Sequence, residues 1–129
     1  MINDGTYTVV YNSGEYRTLR VKDWNDKTII GYLSGQDNEN DFTYVGFLTE
    51  SNTVNFWKKI GLTKSLKWLQ RFERAVQIIA GNPSEAGLAY ALKSSRCYRC
   101  NRKLTVPASI HQGLGPDCAT KIWSRLEGD

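Results

Sequence analysis

The chain has 129 residues, 40% of them hydrophobic, with four tryptophans and seven tyrosines. That describes one domain of ordinary size and excludes a disordered polypeptide. No run approaches the roughly 18 apolar residues of a membrane span, and no basic start with an apolar stretch marks a secretory signal. The expectation is a soluble, cytoplasmic protein with no membrane partner. The net charge of +4 is unevenly spread: residues 1–57 sum to −4, residues 58–104 to +9 and residues 105–129 to −1.

From Thr6 to about Trp57, short segments rich in β-branched and aromatic residues ("TYTVVY", "YRTLRV", "TIIGYL", "FTYVGFL", "TVNFW") alternate with Gly-, Asn- and Asp-bearing connectors. The segments predict five strands, and the short connectors predict an antiparallel meander. In "YRTLRV", Arg17, Leu19 and Val21 fall on one face, and Tyr16, Thr18 and Arg20 on the other. The acidic connector "GQDNENDF" reads as an exposed loop.

After Ile60 the hydrophobic period changes to that of a helix. Thr63 is the expected N-cap, with Leu66, Leu69, Phe72, Val76 and Ile79 on the packing side. Lys64, Lys67, Arg71 and Arg74 fall within about an 80° arc roughly opposite, with Trp68 at its margin. Gly81 is expected to close this helix in the left-handed conformation. Asn82, Pro83 and Glu85 then spell a capping box for a second helix ending near Lys93. Ala86, Leu88, Ala89, Tyr90 and Leu92 would pack, and Gly87 would admit a close neighbour.

All three cysteines and the one histidine lie in "RCYRCNRKLTVPASIHQGLGPDCATK". Cys97 and Cys100 form a C-x2-C pair able to put two thiolates on one metal, and the following turn asks for a positive φ that Asn101 tolerates. Cys118 follows Gly115 and Pro116, which read as the N-cap and first residue of a final helix, where the dipole favours a thiolate. His111 completes the spacing C-x2-C-x10-H-x6-C of a structural Zn2+ site. Asp117, a water or a partner group are the other candidates for the fourth ligand.

The stretch "CYRCNRKLTVPASIHQGLGPDC" resembles the small zinc module of an uncharacterised family found in bacteriophage and actinobacterial proteins. It carries that family's CxxCxRxLTxPxSxxxGxGPxC pattern at Cys97, Cys100, Arg102, Leu104, Thr105, Pro107, Ser109, Gly113, Gly115, Pro116 and Cys118. Asn101 stands where the family usually has Gly. The resemblance implies three cysteine ligands, and family members often have no histidine at the position of His111. It also implies a nucleic-acid or accessory role.

The expected architecture is α+β: an antiparallel β region over 1–60, a helical region with a basic face over 61–95, and a zinc-binding module over 96–129, forming one compact unit. The leading function is a zinc-stabilised, phage-type nucleic-acid-binding accessory protein. Lys64, Lys67, Arg71, Arg74, Arg96, Arg99, Arg102 and Lys103 would hold DNA or RNA phosphates, and Tyr98 would stack on a base. The alternative is an interaction module that places the same cations against an acidic host protein surface, to inhibit or recruit it. An enzyme is least supported. No H-E-x-x-H, Gly-rich phosphate loop or hydrolase elbow is present, and a cysteine committed to zinc is no nucleophile.

Overall fold

A computed structural model describes residues 1–104. Five strands, β1 (Gly5–Val10), β2 (Tyr16–Trp24), β3 (Lys27–Leu33), β4 (Phe42–Leu48) and β5 (Val54–Phe56), pair as neighbours in an antiparallel sheet of order β1-β2-β3-β4-β5. Helices α1 (Lys58–Thr63), α2 (Leu66–Gly81) and α3 (Pro83–Ser94) follow, so the described chain is α+β, with a meander before its helices. No helix among the described residues is long and apolar enough to cross a membrane.

Local chemistry sets the strand ends. Trp24 pairs with Lys27 across a two-residue turn, whose Asn25 and Asp26 both take the positive φ that a tight hairpin demands. Between β3 and β4 the register slips at Ile30 and Gly31, leaving Val45 as the extra residue of a bulge.

The core lies between the sheet and α2. Tyr7, Val9, Leu19, Val21, Ile30, Val45, Leu48 and Val54 meet Phe72, Ala75, Val76 and Ile79, with Ala86 of α3 at the margin. Phe72 is its aromatic centre. Trp68 stacks on it at 5.4 Å, while Tyr32 and Phe56 meet it edge-on. The other face of β1 and β2 is buried too, where Thr8 and Thr18 share a hydrogen bond of 2.8 Å. α3 packs against β1, the edge strand.

Four sequence expectations are corrected. The N-cap of α2 is Ser65, whose hydroxyl accepts from Trp68 N–H at 3.1 Å, because residues 58–63 form a separate short helix and Thr63 ends it. Lys64 therefore precedes α2 and is not part of its stripe. Gly81 is the last residue of α2 without a left-handed φ, and the cap position passes to Asn82. Leu66 and Leu92 face outward, 70% and 54% exposed, because at about 100° per residue each lies more than ~90° around its helix from the mean direction of the buried residues, Phe72, Ala75, Val76 and Ile79 in α2 and Ala86, Gly87, Tyr90 and Ala91 in α3. The capping box is as expected: Asn82 Oδ1 accepts from Glu85 N–H, and its amide donates back to Glu85 Oε2.

Candidate functional site

The segment after α3 folds into a tight turn carrying the cysteine pair. Ser95 leaves the helix in the left-handed conformation, and Arg96 and Lys103 form an antiparallel bridge. Inside that bridge Cys97 N–H donates to Arg102 O at 2.9 Å, and Asn101 N–H donates to Cys97 O at 2.8 Å. Asn101 holds φ +65°, as its position after the second cysteine predicts. Both cysteines thus lie on one turn, Cys97 buried and Cys100 exposed. This backbone suits two thiolate ligands of one tetrahedral ion. Among the described residues no group of three or more His, Cys, Asp or Glu is gathered to hold a metal. The other expected ligands, Cys118 and His111, lie outside the described residues.

The turn is fastened on three sides. Its Tyr98 carbonyl accepts from Thr6 N–H at 2.5 Å, extending the hydrogen bonding of the sheet beyond its first strand. The Tyr98 ring lies over Gly87 of α3, where a Cβ would come within 2.5 Å of it, and tilts against Tyr7 at 6.0 Å. The buried Asn101 accepts a hydrogen bond from the Tyr90 hydroxyl and donates to Asn38 O in the acidic loop. Burial pushes the Tyr90 and Tyr7 phenols above their ordinary range, which keeps both hydroxyls protonated as donors, Tyr7 toward Asn3 O.

The expected nucleic-acid residues divide into two clusters. Thr6, hydrogen-bonded to the turn, and Tyr11, just past the end of β1 in a cleft it shares with Arg71 of α2, are five residues apart, about 17 Å at ~3.4 Å per residue. Near the first end, Arg96 Nη1 is shared between Glu39 Oε1 at 3.0 Å and Asn101 O at 2.9 Å. Arg99 is half-buried, with Nη1 sealed from solvent and lacking a hydrogen-bond partner among the described residues. Arg102 and Lys103 are exposed. The face of Tyr98 expected for base stacking is instead packed on Gly87, so base contact there would have to displace it. Near the second end, Arg71 approaches Glu15 at 3.8 Å, Lys67 and Arg74 are exposed, and the Lys64 ammonium sits 4.9 Å from the Trp68 ring.

Arg17, outside the expected nucleic-acid set, joins the second cluster, whereas Lys93 sits on a ring of the opposite face of β2. Arg17 lies 5.4 Å from the Trp68 ring, and Lys93 lies 4.3 Å from that of Tyr16. Arg17 had a signal: an arginine on the same strand face as the buried Leu19 and Val21 must find a partner at the core's edge. Trp68 provides its ring, and half-buries in doing so.

The acidic loop has its own order. Asp37 accepts from the backbone N–H of Glu39 at 2.8 Å and from the Asn40 side chain at 2.9 Å, and these bonds hold its carboxyl below the usual range. The loop is mostly exposed, as its composition predicts, yet Asn38 and Glu39 reach the turn.

Comparison with curated proteins and with solved structures gives no match. Residues 87–122, a span from α3 through the turn and including all three cysteines, match the model of a family of unknown function (DUF6011), and over that segment the chain is similar to this uncharacterised family.

Proposed function

We propose that the protein is a small zinc-stabilised, phage-type nucleic-acid-binding accessory protein. Its third region, 96–129, acts as a zinc module within one compact unit. Cys97 and Cys100 would hold a structural Zn2+ together with Cys118 and His111. Once bound, such an ion cross-links the turn to the segment bearing Cys118 and contributes directly to folding. The compact 97–101 turn and the left-handed Asn101 support this reading of the pair.

One observation carries the nucleic-acid reading. Only two ion pairs occur among the described residues, Arg71 with Glu15 and Arg96 with Glu39. Lys58, Lys59, Lys67, Arg74, Arg102 and Lys103 are exposed and take part in neither. By contrast, three of the four cations of residues 1–57 rest on aromatic rings. Exposed cations outside these ion pairs are therefore concentrated in the helices and the turn, where phosphates would release counterions on binding.

Anisotropy titration against single- and double-stranded DNA and RNA at two salt concentrations tests it. Binding that weakens steeply with salt is expected, and absence of binding at low salt removes the reading. Metal analysis of the purified protein should give stoichiometric zinc, and a chelator should lower the melting temperature. Full occupancy with unchanged melting in His111→Ala would exclude that histidine as the fourth ligand.

A second reading has its own support. Leu62 and Leu66 are 77% and 70% exposed close in sequence to Lys58, Lys59 and Lys67, an apolar spot with a basic rim that suits an acidic protein surface. Salt-insensitive failure to bind any nucleic acid, with capture of an acidic host protein that Leu62→Ser abolishes, would favour it.

A further inference from the structure

The β1–β2 turn and α2 enclose an open cleft of about 570 Å³, lined by Tyr11, Ser13, Gly14, Glu15, Arg17 and Arg71. Two of these side chains carry polar atoms that are hidden from solvent and lack a hydrogen-bond partner among the described residues, Tyr11 Oη and Arg17 Nη1. Buried donors left unpaired are rare, and each favours any ligand that supplies the missing acceptor. Arg17 is held in place because its guanidinium lies against Trp68, itself stacked on Phe72. Arg71 stands at the rim. Its distance of 3.8 Å to Glu15 is too long for a hydrogen bond, and both side chains are more than half exposed, so the pair yields readily to a stronger anion.

We propose that this cleft binds a phosphomonoester group. Two guanidinium groups and a phenolic hydroxyl belong to the lining residues, and a tetrahedral group with three terminal oxygens would satisfy their donors once the lining side chains part around the two hidden atoms. A phosphodiester has two such oxygens and a single charge, whereas a monoester approaches two charges at neutral pH. Lys64, on the ring of Trp68 beside Arg17, adds to a local field opposed by the Glu15 carboxylate. The group has two possible sources, free phosphate and the phosphorylated end of a nucleic-acid strand. Only the second draws on the function proposed above.

Calorimetric titration at fixed ionic strength separates them, using inorganic phosphate and one oligonucleotide with either a 5′-phosphate or a 5′-hydroxyl. The expected result is saturable phosphate binding, a preference of about tenfold for the phosphorylated strand, or both. Either response should be lost in Tyr11→Phe and in Arg71→Gln, and retained in Lys22→Gln, which removes a like charge near the far end of β2. No response to phosphate together with equal affinity for the two strands overturns the proposal, as does a response that survives either cleft substitution. Where phosphate gives no response, equal affinity for two strands that both bind with steep salt dependence sinks the cleft alone. Phosphate binding without strand binding sinks the nucleic-acid function and leaves the cleft standing.

Discussion

The two cation-rich regions near opposite ends of β1 use their charges differently. Around the cysteine turn, Arg96 is committed to Glu39 and Asn101, and Arg99 is turned inward. Along α2, Lys67 and Arg74 are exposed and outside any ion pair, and Arg71 has only the long contact to Glu15. One region employs arginines to hold loops together, while the other leaves its charge facing water. Net charge by segment therefore overstates the field that the turn presents to a partner and describes that of α2 well.

The largest expected effect tests the internal role of the turn. Asn101→Ala removes both side-chain hydrogen bonds and forces alanine to φ +65°. Chemical denaturation should show a loss of about 3 kcal/mol. Asn101→Gly keeps the backbone conformation at ease, so it should recover roughly 1 kcal/mol of that. Equal losses would mean that the backbone conformation contributes nothing.

Next is the seat of Tyr98. Gly87→Ala should destabilise by about 1–3 kcal/mol by pushing a methyl group into the ring. Combined with Tyr98→Ala, its cost should shrink by at least ~0.5 kcal/mol, and strict additivity would show that the two residues do not touch in solution.

Smaller effects distinguish the two regions directly. Lys67→Gln and Arg74→Gln should leave stability within about 0.5 kcal/mol, yet each should flatten the slope of log affinity against log salt by about 0.7–0.9 if its charge meets a phosphate. Arg96→Gln should do the reverse, costing up to ~1 kcal/mol of stability with little change of slope. A matching slope change in Arg96→Gln would erase the contrast between the regions.

The smallest effect belongs to the acidic loop. The Asp37 carboxyl lies below its ordinary value because backbone N–H groups bind the charged form. Its contribution is thus present above the unfolded-state pKa and fades as pH falls through the lower folded value. Amide exchange at Glu39 and Asn40 should quicken only in that acidic window, and Asp37→Asn should remove the dependence.

Much of the fold was legible. Each strand appeared as an apolar or aromatic run between turn residues, and the pairing of Asn82 with Glu85 followed from local chemistry. The start of α2 was misplaced because Thr63 and Ser65 are both good caps, and only the short α1 decides between them. Gly87 was readable as a point of close approach, but not that Tyr98 would fill it. Arg17 and Tyr11 were unreadable as a pair, since their shared cleft exists only when α2 lies beside the β1–β2 turn.

The sequence by itself determined what depends on neighbours within a few residues: the strand and turn pattern, the capping box, and the left-handed Asn101 of the cysteine turn. Those features rest on steric limits and short-range hydrogen bonds that act before the chain is compact. Tertiary structure alone decided which cations are spent internally, which aromatic faces are covered, and where buried donors go unpaired. These properties depend on groups far apart in the chain, as when Arg96 meets Glu39 or Tyr98 covers Gly87, and they arise only when the sheet, α2 and α3 exclude water from the space between them.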